Sequence, residues 1–210
     1  MPPTIAPHKS LAIKVMARLM IVGIIVFASV CAAAQFWRTD LNWIAIPLSS
    51  YLFGPGGVYV RCAYYLMGIA LLGFAWAIYA ATAPAQRSTL ASILFAAAGF
   101  ALPIVATTEL FRGTVYEDVA HLVHMLVAPA TFLWLSFGML LLSSRWRHDP
   151  HMKKGSRPGI ALAWMATFVL WFQVLVPGLP NGFWEKLAIA LILLWLGWAA
   201  LHLLRAVQPP

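Results

Sequence analysis

One short stretch holds ionisable side chains at a spacing that could do chemistry: Glu117-Asp118-Val119-Ala120-His121-Leu122-Val123-His124. On a helix, residues three and four apart share a face, so Glu117, His121 and His124 lie on one narrow stripe. Asp118 lies about a quarter turn away. Acids in a first helical turn are favoured by the helix dipole, but the dipole does not account for two histidines one and two turns further in. Three chemistries are open to this stripe. Glu117, His121 and His124 could bind zinc from one helix, with Glu109 or Asp118 completing the shell and a bound water becoming a nucleophile near neutral pH. His121 and His124 could instead donate hydrogen bonds to Glu109, Thr108 or Gln173 in a structural or lipid-binding site, with Arg61 holding a carboxylate or a lipid phosphate. A haem is disfavoured, because two histidines of one helix cannot grip one iron from opposite faces and His202 falls near the other helix end. A serine hydrolase would need Ser49 or Ser50 beside His121 and Asp118, and no Gly-x-Ser-x-Gly turn supports it.

The elements that must position this stripe are apolar. Hydrophobic residues make up 62% of the 210-residue chain and charged residues 10%. Six long apolar stretches, at about 16–34, 58–80, 89–107, 120–142, 160–176 and 186–204, are separated by short polar breaks. Each is near the roughly 20 residues a helix needs to cross a bilayer core. The expected fold is an all-α integral membrane protein, a bundle of six transmembrane helices in one domain spanning 1–210. Of its 14 Lys and Arg, all but Arg38, Arg61, Arg112 and Lys186 fall on the side that carries both termini. Basic residues are retained in the cytoplasm, so both termini are expected there, in a bacterial-type inner membrane. The net charge of +8 therefore reads as topology and attraction to anionic lipid, not as a nucleic-acid surface. The first apolar run is too long for a signal-peptide core and reads as a retained helix.

Other helices deliver polar groups to the level of the stripe. Arg61 opens the second helix, Thr107, Thr108 and Glu109 end the third, Gln173 lies in the outer part of the fifth and Glu185 opens the sixth. Ser49, Ser50 and Tyr51 belong to the first outer tip, 35–57, which with Trp37 and Trp43 reads as an interfacial segment. Ionisable groups at membrane depth are costly, so these residues are expected to converge on one polar pocket in the outer-leaflet layer, with an acidic partner for Arg61. Each tip re-enters the membrane through glycine, an apolar residue, an aromatic and a charge, a pattern the aromatic belt explains. Pro103 and Pro129 should bend their helices. Trp195 and Trp198 are expected to face lipid or a partner. The loop 143–158, with His148 and His151, reads as solvated. Cys31 and Cys62 read as small packed residues; a disulfide between them would require their helices to touch.

The run Leu48-Ser49-Ser50-Tyr51-Leu52-Phe53-Gly54-Pro55-Gly56-Gly57, followed by a helix with Tyr65 and Gly68, resembles a bacterial six-helix membrane family, the domain of unknown function 998. Thr107–Glu109 and His121 match that family's polar junction and early helical histidine. In architecture the family is similar to the Frag/DRAM/Sfk group of lipid-linked membrane proteins. The resemblance implies fold and location and no agreed reaction. The leading expectation is a lipid-interacting protein or an accessory subunit of a membrane complex, with membrane lipids and other membrane-protein subunits as its partner classes and no nucleic acid. No cofactor is expected on that reading. The alternative is a metal-dependent hydrolase of lipids or amphiphiles at the outer leaflet, with zinc as its metal.

Overall fold

The computed structural model describes residues 7–206, and among these the regular structure is entirely helical. Six long helices form it: α1 (Pro7–Trp37), α2 (Gly57–Ala81), α3 (Thr89–Thr108), α4 (Glu117–Trp146), α5 (Arg157–Leu175) and α6 (Asn181–Ala206). All six are long and apolar enough to cross a membrane. A helix satisfies its own backbone, which an apolar solvent demands. The helices outrun most of the apolar stretches because polar flanks join their ends, as Glu117 and Asp118 do in α4. Ser88 stops α3 at its start by accepting from the Ala91 amide at 3.2 Å. Gly54 and Gly56, both with positive φ, make the turn that leads into α2.

Short links make sequence neighbours spatial neighbours. Each helix packs on the next, and α6 returns to α1, so the bundle closes as a ring in chain order. The seam between α4 and α5 is the least extensive of the six. The contact between α2 and α3 is close: a Cβ on Gly68 would meet the Gly99 carbonyl oxygen at 2.6 Å and the Pro103 ring at 2.8 Å. Small residues that let helix backbones approach are a recurrent device of membrane packing.

The half of the ring nearer the termini is full. Phe95 of α3 stacks on Trp195 of α6 at 5.6 Å between centroids and meets Phe74 of α2 edge-on at 5.7 Å. Trp195 is wholly buried, and its indole N–H donates to Ser143 Oγ at 3.0 Å. The expectation that Trp195 faces lipid or a partner is thus corrected: a buried acceptor on α4 lets its polar edge enter the core. Trp146 does likewise, donating to Thr82 Oγ1 at 3.0 Å. The loop after α4 is also not the fully solvated loop expected. Asp149 is buried, and its carboxylate accepts from the amides of Ala83 at 2.7 Å, His151 at 2.8 Å and Met152 at 3.1 Å. His202 Nε2 donates to the Met152 carbonyl at 2.7 Å, tying the same loop to α6.

The opposite end is covered by the first tip. Residues 38–56 fold across the ring instead of lying only at an interface. A short 3-10 turn, Leu48–Leu52, buries Leu48, Tyr51 and Leu52, whose spacing puts all three on one face. Arg38 pins this cap, donating to both carboxylate oxygens of Asp40 at 2.8 Å and to the Phe53 carbonyl at 2.6 Å. That pairing holds the Asp40 carboxyl below the usual range and the Arg38 guanidinium above its own. Burial pushes the Tyr51 phenol up, and its hydroxyl has no hydrogen-bond partner. The cap is joined to α6. The amides of Gly182 and Phe183 donate to the carbonyls of Ala45 and Ile44 at 3.2 and 2.8 Å. Lys186 Nζ donates to the carbonyls of Trp43 at 2.7 Å and Ile46 at 2.6 Å. Cys31 is buried, Cys62 is exposed, and both are free thiols, although α1 and α2 touch.

Candidate functional site

Beneath the cap lies a cavity of about 510 Å³, within the range of small-molecule sites. Its wall is apolar for most of its length, with Phe27, Met67, Leu71, Phe132 and Ile192 among the lining residues. It reaches from the tip end to the middle of the bundle, where the Phe95–Trp195 stack closes the core. Most of its polar groups gather at the tip end: His124 of α4, Gln173 of α5, Glu185 of α6, Tyr64 of α2 and Ser49 of the cap. Thr131, about two turns deeper on α4, gives its hydroxyl to the Val127 carbonyl at 2.8 Å. Met125 and Val174 line it too and are 55% and 65% exposed, so the cavity opens sideways between α4 and α5. Pro129, also in the wall, removes one backbone hydrogen bond from α4 beside that opening.

His124 sits about 10 Å down α4 from Glu117, at 1.5 Å per residue. Its Nδ1 lies 3.0 Å from Thr108 Oγ1 and 3.4 Å from Glu109 Oε1. The other oxygen of Glu109 accepts from Arg112 Nη2 at 2.6 Å. A chain Arg112–Glu109–His124 therefore runs from an exposed tip to the cavity. On the facing wall Glu185 Oε1 accepts from the Leu48 amide at 3.1 Å. Among the described residues Glu185 has no ion pair, and Gln173 makes no hydrogen bond to protein.

The structure brings together His124, Thr108, Glu109, Gln173 and Glu185 from the sequence-derived pocket and leaves the others apart. Glu117 is exposed, its carboxylate accepting from the Gly113 amide at 2.8 Å as a helix-start cap. Asp118 and His121 are exposed as well. The stripe is split because the inward face of α4 takes only its deepest member. Among the described residues no group of three or more His, Cys, Asp and Glu is placed to hold a metal ion, so Glu117, His121 and His124 do not form the donor set considered above. Among the described residues Arg61 has no acidic partner either; it is half-buried and donates from Nη1 to the Leu52 carbonyl, holding the 3-10 turn onto α2. Ser49 lines the cavity, whereas His121 and Asp118 face outward, so no serine triad forms from them.

Sequence reasoning missed Tyr64 and the cap-holding roles of Arg38 and Lys186. A tyrosine within an apolar helix reads as packing, and a loop's carbonyls offer no side-chain signal for the lysine they attract. The acid two residues after Arg38 was the available clue.

A family model described as protein of unknown function DUF998 matches residues 21–202. The chain belongs to the DUF998 family. The DUF998 match runs from within α1 to within α6 and so takes in every wall of the cavity. No curated protein and no solved structure matches the chain.

Proposed function

We propose that this DUF998 protein holds the chain of a membrane amphiphile in the cavity between α4, α5 and α6, taken up sideways from the leaflet on the tip side. One observation carries the reading: an apolar cavity of about 510 Å³ that opens between two membrane-crossing helices and ends in a cluster of polar side chains. A tail would enter the apolar length while a head reached the polar end, at the level where heads of that leaflet lie. The ten-to-four bias of basic residues favours cytoplasmic termini, which makes this the outer leaflet of a bacterial-type inner membrane. Membrane lipid is thus the partner on this reading, and the activity is binding or presentation.

Native mass spectrometry of protein purified in mild detergent tests it. The chain should retain, or take up from added monopalmitoylglycerol, close to one amphiphile per protein. Ala128→Trp, placed in the cavity wall, should abolish that adduct while leaving the protein folded. Equal uptake by wild type and variant would sink the reading.

A further inference from the structure

The polar end of the cavity is built to receive hydrogen bonds. Thr108 Oγ1 carries one hydrogen, which it donates to the Val105 carbonyl at 2.7 Å. At its 3.0 Å contact with His124, Thr108 can then act only as acceptor, so Nδ1 of His124 carries the proton. Glu109, 3.4 Å from the same nitrogen, favours the same tautomer. The neutral ring is left with Nε2, on its opposite edge, as an acceptor. Glu185 supplies a carboxylate, an acceptor only when ionised, with one amide bound and no salt bridge among the described residues; Lys186, its chain neighbour, acts on it only at longer range.

The nearby cations are committed elsewhere. Arg38 serves Asp40 and the Phe53 carbonyl, and Arg61 serves the Leu52 carbonyl. Arg112 pairs with Glu109 and lies over the Phe53 ring at 4.7 Å. Lys186 is held by carbonyls of the cap. No Lys or Arg lines the cavity. A phosphate or carboxylate head would find no cation there and would face the Glu185 carboxylate. A head of hydroxyls or an ammonium would find two acceptors on opposite walls, with the amide of Gln173 and the hydroxyls of Ser49 and Tyr64 able to adapt to either role.

Resting on the amphiphile-binding reading above, we infer that the cavity selects amphiphiles whose head donates hydrogen bonds, a hydroxyl or ammonium head, and rejects those that present a phosphate or carboxylate to it. Selectivity of this kind arises because a buried acceptor left without a donor is costly, and a buried like charge more so.

Four probes sharing one tail decide it: monopalmitoylglycerol, hexadecylamine, palmitate and palmitoyl lysophosphatidate, each titrated into the full-length protein in detergent and read by native mass spectrometry. The first two should bind at least about tenfold tighter than the last two, the scale of one charged hydrogen bond. Palmitate or lysophosphatidate binding as tightly as monopalmitoylglycerol would overturn the inference. Glu185→Gln keeps an oxygen for the Leu48 amide and so should fold. Selective loss of hexadecylamine would identify an ammonium head, and equal loss of both favoured probes a hydroxyl head; no change in either would overturn the inference. Failure of all four probes on the wild type would instead remove the underlying reading. Equal binding of all four, blocked by Ala128→Trp, would leave that reading standing and remove only the head selectivity.

Discussion

The two ends of the bundle solve the problem of polar groups in an apolar solvent in opposite ways. Near the termini, the larger polar side chains are paired within the protein: Trp195 with Ser143, Trp146 with Thr82, Asp149 with three amides, His202 with a carbonyl. Large aromatic rings fill the space between those pairs. Under the tip-side cap the backbone is tied down just as firmly, but Glu185, Gln173 and the far edge of His124 are turned towards open volume. Ser92 Oγ and Ser136 Oγ are also buried without a partner among the described residues, but they lie in packed surroundings. The tip-end groups gather around open volume, which marks that end as the place where a ligand completes the structure. The full end supplies stability, and the hollow end depends on it for its shape.

That contrast can be broken by mutation. The largest effect belongs to the full end. Trp195→Ala should lower unfolding stability by about 3–5 kcal/mol, the usual cost of deleting a buried large aromatic; SDS titration in mixed micelles would measure it. Loss below 1 kcal/mol would mean the core is looser than the ring stack implies. Overpacking gives the next contrast. Ala199, wholly buried, should not accept Trp, and Ala199→Trp should cost at least about 1–3 kcal/mol. Ala128→Trp, at the hollow end, should cost less than about 1 kcal/mol because the ring enters existing space. Equal costs at the two sites would remove the distinction between the ends.

Smaller effects sharpen the account of the cap. The Asp40 carboxyl is held low by Arg38, so its contribution is present above the ordinary carboxylate pKa near 3.9 and is lost as pH falls through the lower folded value. Asp40→Asn should therefore lower Tm at pH 7, and the gap from wild type should close below about pH 4. A gap that widens in acid would contradict the pairing. Least of all, Tyr51→Phe should change stability by under about 0.5 kcal/mol or raise it slightly, because the buried hydroxyl it removes has no partner. A marked loss would show that the Tyr51 hydroxyl is hydrogen-bonded in the folded protein and contradict the account of the cap.

The helices were legible because bilayer thickness imposes a length that 62% apolar composition displays directly. His124 and Glu109 were legible for the converse reason, as ionisable groups where apolar ones are cheaper. Which members of the stripe faced inward was not legible. His121 and His124 differ by less than a quarter turn, and choosing between them requires the rotation of α4 about its axis, which its neighbours set. The inward position of Trp195 was hidden for a related reason: α6 is apolar nearly all round, so periodicity assigns it no buried face. Asp149 offered a sharper clue as the one acid on the basic side, but its three amide partners are spread over two loops that only the folded ring brings together.

The join between the cap and α6 also sets an order on assembly. Residues 42–48 leave the ribosome well before the donors that hold their carbonyls, the Gly182 and Phe183 amides and the Lys186 ammonium, which belong to α6. A Cβ at Gly182 would run into the Ile46 backbone, so that docking tolerates no other residue there without displacing the loop. Until α6 has inserted, the lid over the chamber lacks its fastening, and the first five helices form an open arc. Insertion of α6 is thus the step that shuts the roof, and the sideways slot between α4 and α5 is the doorway that remains.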